Sequence, residues 1–346
     1  MQKKLAVIIL NWNGLGLLKK FIPTAVATTI SPDADLIVAD NGSTDGSLEW
    51  LEANHPEVKT IRLDRNYGFA EGYNLAILEA DYPYIVLLNS DVETTEGWWQ
   101  PLLDFMEKNP DVGAVQPKIK SWHKPRYYEY AGAAGGYLDN LGYPFCRGRL
   151  FDVVEHDNGQ YDTPPIDIVW ASGACLMVRR KLYLSLGGLD SAFFAHMEEI
   201  DLCCRILNAG YRVCALSDSE VLHVGGASLN QGNPQKTYLN FRNNLLLLHK
   251  NLPQATGRKK LFIRRLADTL AFGMFLIKGD LANAKAILKA HRDFKRMRGK
   301  YTTFPEKDIL SLQPGANRSA ILERYLKRKK SIQIPGTTVQ FSGKIK

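Results

Sequence analysis

Tyr84-Ile85-Val86-Leu87-Leu88-Asn89-Ser90-Asp91 decides how this chain folds. Five consecutive apolar residues mark a strand buried on both faces, and the polar triplet after them sets a carboxylate just past the strand's C-terminal end. Open α/β sheets bind their ligands at that edge. Outward from this point, apolar runs recur at 5–10, 35–39, 58–63 and 112–118 with amphipathic stretches between them, as a parallel sheet with crossover helices requires. The second run ends in Asp40-Asn41-Gly42-Ser43-Thr44-Asp45, whose Ser and Asp side chains suit the cap of a helix over 46–54. Residues 119–166, rich in Gly, Tyr and Pro, predict irregular structure or a β insertion. Residues 168–178 read as an apolar strand broken at Ala171-Ser172-Gly173, residues 199–209 as a helix ended by Gly210, and 211–216 as a strand. Further helices are expected over 240–250, 259–277 and 281–300, and the final 45 residues form a basic stretch with little core pattern. The expected fold class is α/β, with a Rossmann-like, mostly parallel central sheet flanked by helices and a helical basic C-terminal extension. The expected division is 1–250 and 251–346.

Composition sharpens the contrast between these parts. With 346 residues, 45% of them hydrophobic, the chain buries a large core. Its net charge of +8 conceals a split, because residues 251–346 hold 22 Lys and Arg against 6 Asp and Glu while residues 1–250 hold 22 against 30. An acidic body with a basic tail points to an anionic surface, either nucleic acid or lipid headgroups. No zinc spacing or RNP-like motif supports nucleic acid. The longest uncharged run of the tail's middle helix, 269–277, falls far short of the ~20 residues that span a bilayer. A basic amphipathic helix in the headgroup region of an anionic membrane is therefore expected, aided by Arg258-Lys259-Lys260 and Lys327-Arg328-Lys329-Lys330. The competing reading is a helical lid or a homodimer surface. Five cysteines without metal-ligand spacing, and an opening apolar run too short for a signal peptide, fit a reduced cytoplasmic compartment with the protein peripheral on the inner face of the plasma membrane.

Several side chains are placed for chemistry. Asp40, at a strand end, is suited to accept a hydrogen bond from a nucleotide base, although an Asx turn would use it too. In Asn66-Tyr67-Gly68-Phe69-Ala70-Glu71-Gly72-Tyr73-Asn74, Gly68 permits close approach to a phosphate, and Asn66 and Asn74 offer fixed hydrogen bonds. Asp91 is suited to hold a hard cation shared with diphosphate oxygens, since Thr94, Thr95 and Glu96 lie nearer the next helix start and can cap it. His223, before two glycines, is either a ligand or a hydrogen-bonded structural residue. Arg242 would meet a phosphate or lie on a solvated helix face. Glu198-Glu199-Ile200-Asp201 supplies carboxylates for proton transfer.

The order and spacing of these segments resemble the family-2 inverting glycosyltransferases of the GT-A fold, and most closely their bacterial rhamnosyltransferase-like members. The resemblance spans residues 4–250. It rests on Val7-Ile8-Ile9-Leu10-Asn11-Trp12-Asn13-Gly14, Asp40-Asn41-Gly42-Ser43, Asn66-Tyr67-Gly68-Phe69-Ala70 with Gly72 and Asn74, Leu87-Leu88-Asn89-Ser90-Asp91, Ser172-Gly173-Ala174-Cys175, Gly187-Gly188-Leu189-Asp190, Glu198-Glu199-Ile200-Asp201-Leu202-Cys203, and His223 with Gly225-Gly226. It implies an enzyme that moves a sugar from a dTDP- or UDP-linked donor, dTDP-L-rhamnose being one, to a hydroxyl of a glycan or lipid-linked acceptor during cell-surface polysaccharide synthesis. It implies Mg²⁺ or Mn²⁺ at Asp91 with His223 and Asn89, and a donor held by Asn11, Asn13, Asp40, Asn66, Gly68, Asn74, Ser172 and Gly173, to which the residue reading adds Arg242. Glu199 takes the general-base position, with Asp201 as its rival. Two departures stand out: Asn89 opens the metal motif where Asp is expected, and the base position carries Glu where many relatives have Asp. The rival readings are a sugar-1-phosphate nucleotidyltransferase, which would want a Gly-rich loop with Arg and Lys where Asn11-Trp12-Asn13-Gly14 stands, and a non-catalytic nucleotide- or glycan-binding module.

Overall fold

The computed structural model describes residues 3–225, 232–313, 319–320, 322–329 and 331–332. The strands are β1 (Leu5–Asn11), β2 (Ala34–Asn41), β3 (Lys59–Leu63), β4 (Tyr84–Leu88), β5 (Val92–Thr94), β6 (Val112–Ser121), β7 (Gly136–Leu138), β8 (Pro144–Cys146), β9 (Arg149–Leu150), β10 (Val153–Val154), β11 (Ile166–Ile168), β12 (Cys175–Arg179) and β13 (Arg212–His223). The helices are α1 (Leu15–Thr29), α2 (Ser47–Asn54), α3 (Gly68–Glu79), α4 (Gln100–Lys108), α5 (Arg180–Ser185), α6 (Glu198–Asn208), α7 (Pro234–Asn251), α8 (Gln254–Ile277) and α9 (Leu281–Met297).

Nine strands form the central sheet in the order β11-β13-β6-β12-β4-β1-β2-β3, with β5 added beside β13. β3, β2, β1 and β4 are parallel neighbours, and β13 runs parallel to β6. Because β12 is antiparallel to both β4 and β6, all six of these strands point the same way. The sheet is thus mostly parallel, as expected. Strand order reverses between β1 and β4: the chain moves one way through β2 and β3, then returns to lay β4 on the other side of β1. A crevice opens at such a switch point, past the C-terminal ends of the strands.

β1, β2 and β4 are buried on both faces between two cores, one containing Ile8, Ile37, Ile85 and Leu87, the other Val7, Leu36, Val86 and Leu88. Each such side chain contributes about 1.5–3 kcal/mol on burial. The five expected strands in the first 121 residues are all present. Residues 119–166 carry a separate antiparallel sheet, β10-β9-β8-β7, which is the β insertion.

Four local expectations are corrected. Residues 168–178 form no continuous strand, because the chain turns at 169–174 between β11 and β12, which pair with different neighbours. β13 extends to His223, beyond the expected end at 216, through a register shift between Leu216 and Glu220. Neither threonine caps α4: Thr94 lies in β5, and Thr95 Oγ1 donates to the Glu220 carbonyl at 2.6 Å. The helix starts after Trp99 without a side-chain cap, using Pro101 in its first turn. In the C-terminal stretch Ile309, Leu310, Ala320 and Ile332 are buried, so this stretch does contribute to the core.

All five cysteines are free and buried. Among the described residues no helix is long and apolar enough to cross a membrane.

Candidate functional site

At the C-terminal end of β1, Asn11 is buried, and its Nδ2 lies 3.0 Å from Asp40 Oδ1, 3.1 Å from Ser43 Oγ and 2.9 Å from Ser47 Oγ. Asp40 Oδ2 accepts from the Ser43 N–H at 2.9 Å, closing the Asx turn. Asn13, at φ +50°, donates its backbone N–H to Ser43 Oγ at 2.9 Å and accepts from the Thr44 N–H at 2.8 Å. These contacts join the first two strand ends into one rigid rim. Asn11 Oδ1 remains buried with no hydrogen-bond partner.

The loop entering α3 is pinned by Asn41. Its Nδ2 donates to Asn66 Oδ1 at 3.1 Å and to the Gly68 carbonyl at 3.0 Å, and its Oδ1 accepts from the Tyr67 N–H at 2.9 Å. Gly68 sits at φ +79°, and Asn66 Oδ1 also accepts its N–H at 2.8 Å. Asn74 faces elsewhere: its amide holds both the N–H and the carbonyl of Leu189, at 2.9 and 2.8 Å, and accepts from Tyr183 Oη at 2.6 Å. Asn74 therefore fastens the 187–190 turn.

Past β4 the chain doubles back as β5, which pairs with β13 so that Val92 stands opposite His223. This register delivers His223 to Asp91. His223 Nε2 lies 3.1 Å from Asp91 Oδ1 and 3.5 Å from the Asn89 side-chain amide, and both Asp91 and His223 are buried. On the other side of the ring, Nδ1 is 3.3 Å from Glu129 Oε2, off the line of a good hydrogen bond. Gly225, at φ +70°, makes room for Glu129, since a Cβ there would come within 2.6 Å of Glu129 Oε1. Gly226 lies outside the described residues. Burial lowers the His223 pKa, but the hydrogen bond to Asp91 and the negative charge of Asp91 and Glu129 close to the ring outweigh it and push it up to about 10. Burial likewise raises Asp91, and His223 overrides it to hold the carboxyl below its ordinary range.

This trio fits a hard divalent cation. Two ligands at right angles, each ~2.1 Å from Mg²⁺, stand ~3.0 Å apart, close to the separation of Asp91 Oδ1 and His223 Nε2. Glu129, behind the ring, is placed to orient the imidazole as a carboxylate partner of a metal-binding histidine does. Among the described residues no group of three or more His, Cys, Asp and Glu side chains could hold a metal unaided. A cation here would be completed by oxygens of a bound diphosphate.

The turn at 172–174 joins this group to the acidic cluster. Ala174 accepts the Asn89 N–H at 3.0 Å, and Gly173 lies against Glu199, whose Cβ and Cγ would be 3.6 Å from a Cβ built on it. Ser172 is buried and engaged within the turn: its N–H donates to Gln116 Oε1 at 2.9 Å, and its hydroxyl donates to the Ala131 carbonyl and accepts the Ala174 N–H at 3.2 Å. Glu199 opens α6, half-buried, with Oε2 enclosed and unpartnered. Burial raises its pKa to about 7 against the lowering pull of backbone N–H groups at the helix start. Burial, then the charge of Glu199, raise Glu198 well above the usual carboxylate range.

Asp201 is fully buried and saturated. It accepts from Arg205 Nε at 2.8 Å, Lys250 Nζ at 2.9 Å and Asn251 Nδ2 at 2.7 Å. Arg242 is likewise turned inward, its guanidinium donating to the Ala192 and Phe193 carbonyls at 3.0 and 2.8 Å, to Asn243 Oδ1 and to Tyr238 Oη. Beside it Asn243 Nδ2 reaches the carbonyls of Phe193, Ala195 and His196 at 2.7–3.0 Å. This loop needs the support, because Phe194, His196 and Met197 all have positive φ directly before Glu199. Sequence reasoning passed over Glu129, Asn41 and Asn243. Asn41 and Asn243 adjoin residues that were singled out, but nothing in the insertion marks Glu129.

Comparison with solved structures agrees with this architecture. A GalNAc-T7 structure with UDP, GalNAc and Mn²⁺ superimposes with a TM-score of 0.56 at 17% identity, over 72% of this chain and 48% of that one. The mannosyltransferase PcManGT of Pyrobaculum calidifontis, solved with GDP-Man and Mn²⁺, gives 0.52 at 15% identity over 85% and 88%. The fold is therefore that of the GT-A glycosyltransferases. Residues 6–183 match the model of Glycosyl transferase family 2, and the chain belongs to that family. Among curated proteins it is 28% identical over 241 residues to the N-acetylglucosaminyl-diphospho-decaprenol L-rhamnosyltransferase of Mycobacterium tuberculosis, covering 64% of this chain and 76% of the relative. It is 22% identical over 252 residues to the low-salt glycan biosynthesis hexosyltransferase Agl10 of Haloferax volcanii, covering 71% and 76%.

Proposed function

We propose that this glycosyltransferase moves a deoxyhexose, L-rhamnose foremost, from a dTDP- or UDP-linked donor to a hydroxyl of a glycan or lipid-linked acceptor, with inversion at the anomeric carbon. The observation that carries it is Glu199, an enclosed carboxylate with a pKa near 7, one turn of chain from the metal-binding arm. A base so tuned is half ionised at neutral pH and can still accept a proton from a positioned hydroxyl. The rhamnosyl and lipid-linked assignments draw support from the mycobacterial relative.

In this reading the donor lies across the switch point between β1 and β4. Asp40 and Asn11 meet the base, Asn66 and the Gly68 N-terminus of α3 face the diphosphate, and Ser172 and Gly173 shape the wall beside the sugar. Asp91, His223 and Asn89 would hold Mg²⁺ or Mn²⁺, which offsets charge developing on the leaving diphosphate. Glu199 takes the acceptor hydroxyl's proton as that oxygen bonds to the anomeric carbon. The bond to the diphosphate breaks on the opposite face, and the nucleoside diphosphate leaves with the electron pair. Asp201, Asn243 and Arg242 contribute by fixing the loop and helix that aim Glu199.

The test is incubation with a panel of dTDP- and UDP-sugars and a polyprenyl-diphospho-N-acetylglucosamine acceptor, reading product configuration by NMR. A new β linkage from a β-configured donor would contradict inversion, and absence of transfer from every donor would contradict the assignment.

A further inference from the structure

Helix α8 is built inside out. Toward the protein it buries Gly257, Leu261, Arg264 and Asp268. Arg264 stacks on the Tyr143 ring at 3.7 Å, donates to the Leu141 carbonyl at 3.2 Å and to Asn244 Oδ1, and lies 3.4 Å from Asp268, whose other oxygen is 3.0 Å from His291 Nε2. Away from the protein it exposes Phe262, Leu266, Leu270, Met274 and Ile277, at 64, 58, 73, 58 and 89%. Their spacing of four, four, four and three residues puts them in one stripe along the helix. A surface helix ordinarily turns its apolar stripe to the core. Here the ion pair is inside and the stripe outside, over five large side chains, and a contiguous apolar surface of this kind marks an interaction site.

The charge around the stripe selects the partner. Residues 254–297 carry eleven Lys and Arg, nine of them exposed, and three Asp, none of them exposed. Asp268 is buried under α9, Asp280 caps α9 through the Asn283 N–H at 3.1 Å, and Asp293 accepts from Tyr238 Oη at 3.0 Å. A second copy of this face would meet like charge with like. Nucleic acid would satisfy the cations but leave the aliphatic side chains in water.

We propose that the outer face of α8 docks on an anionic lipid bilayer, its five apolar side chains entering the headgroup–acyl boundary while the surrounding Lys and Arg meet lipid phosphates. This deepens the lipid-linked acceptor reading and rests on it only for its purpose. α7, which packs against α8, also grips the loop before Glu199, so the docked helix and the base belong to one packed unit.

The test uses the full chain in flotation with vesicles of phosphatidylglycerol and phosphatidylcholine, against vesicles of phosphatidylcholine alone. The expected result is binding to the anionic vesicles, reduced about ten-fold or more in Leu266→Ser/Leu270→Ser/Met274→Ser, whose side chains support no packing, and weakened by salt. Thermal melting checks that the variant is folded. Equal vesicle binding by the variant, or none by the unaltered chain, would overturn the proposal. A dimer in sedimentation that the same substitutions dissociate would assign the stripe to a second copy and overturn it equally. Donor hydrolysis is read in parallel: if it persists while vesicle binding fails, only the docking falls; if binding holds while hydrolysis and transfer fail, only the catalytic reading falls.

Discussion

Asn251 donates its side-chain amide to Asp201 Oδ1 at 2.7 Å, so the carboxylate two residues from Glu199 is tied to the last residue of α7. With Arg205 and Lys250 on its other oxygen, Asp201 has no free capacity for a substrate proton. Asp201 is therefore an anchoring residue, and the proposed mechanism leaves the chemistry to Glu199. Asp201→Asn should lower stability by about 3 kcal/mol or more, the size of a broken buried ion pair, read by denaturant unfolding. Glu199→Gln should lower kcat by about 10²–10⁴ with donor affinity retained. A folded, inactive Asp201→Asn beside a near-normal Glu199→Gln would reverse the roles.

The pH dependence of rate and of stability should run in opposite directions. Glu199 accepts a proton only when ionised, so kcat should rise with pH and level off above about 7. Its folded pKa is raised above the ordinary 4.5, so its contribution to stability is fully present below about 4.5 and is lost as pH rises through about 7. Glu199→Gln, which stays neutral, should melt higher than the unaltered protein at pH 8, by about 1–3 kcal/mol, and the gap should shrink toward pH 5. Thermal melts at the two values decide it.

Asp91→Ala should abolish any gain in dTDP or UDP affinity from Mn²⁺, measured by calorimetry with and without the metal. Unchanged metal-dependent affinity would remove Asp91 from the site.

Glu129→Gln should weaken Mn²⁺ binding in the presence of dTDP or UDP by about 10–100-fold, the usual cost of losing a carboxylate behind a metal-binding histidine. Manganese electron paramagnetic resonance reports free ion directly and needs no turnover.

Asn243→Ala should remove its bonds to the carbonyls of Phe193, Ala195 and His196, leaving only that of Phe193 held by another side chain, that of Arg242. Stability should fall by about 1–3 kcal/mol, and, if the loop aims Glu199 as proposed, kcat should fall further than donor affinity.

The sequence makes the sheet plain because its strands are buried on both faces, and continuous apolar runs such as Ile85–Leu88 have few other solutions. Asp91 and His223 were also visible in their motifs, although their meeting depends on the β5–β13 register, 132 residues apart. Polar residues in the motifs were harder to place. Asn74 and Arg242 have the chemistry of phosphate binders, yet both are consumed by backbone carbonyls of a loop 49–115 residues away, and no local pattern separates those fates. Glu129 had no signal at all, since it acts through a ring contributed by a distant strand. The basic character of the tail was legible from charge alone. Its inverted helix was not, because the periodicity of apolar residues is the same whichever way the stripe faces.

Arg264 makes the tail of this chain hard to replace by itself. Its guanidinium lies between the Tyr143 ring of the β insertion, Asn244 of α7 and Asp268 of its own helix, so three separate stretches of sequence must be inherited together. A chimera spliced at 250/251 would also leave Asn251 on the wrong side of the cut from Asp201. In this chain the insertion and the tail would have to be exchanged together, as one genetic cassette.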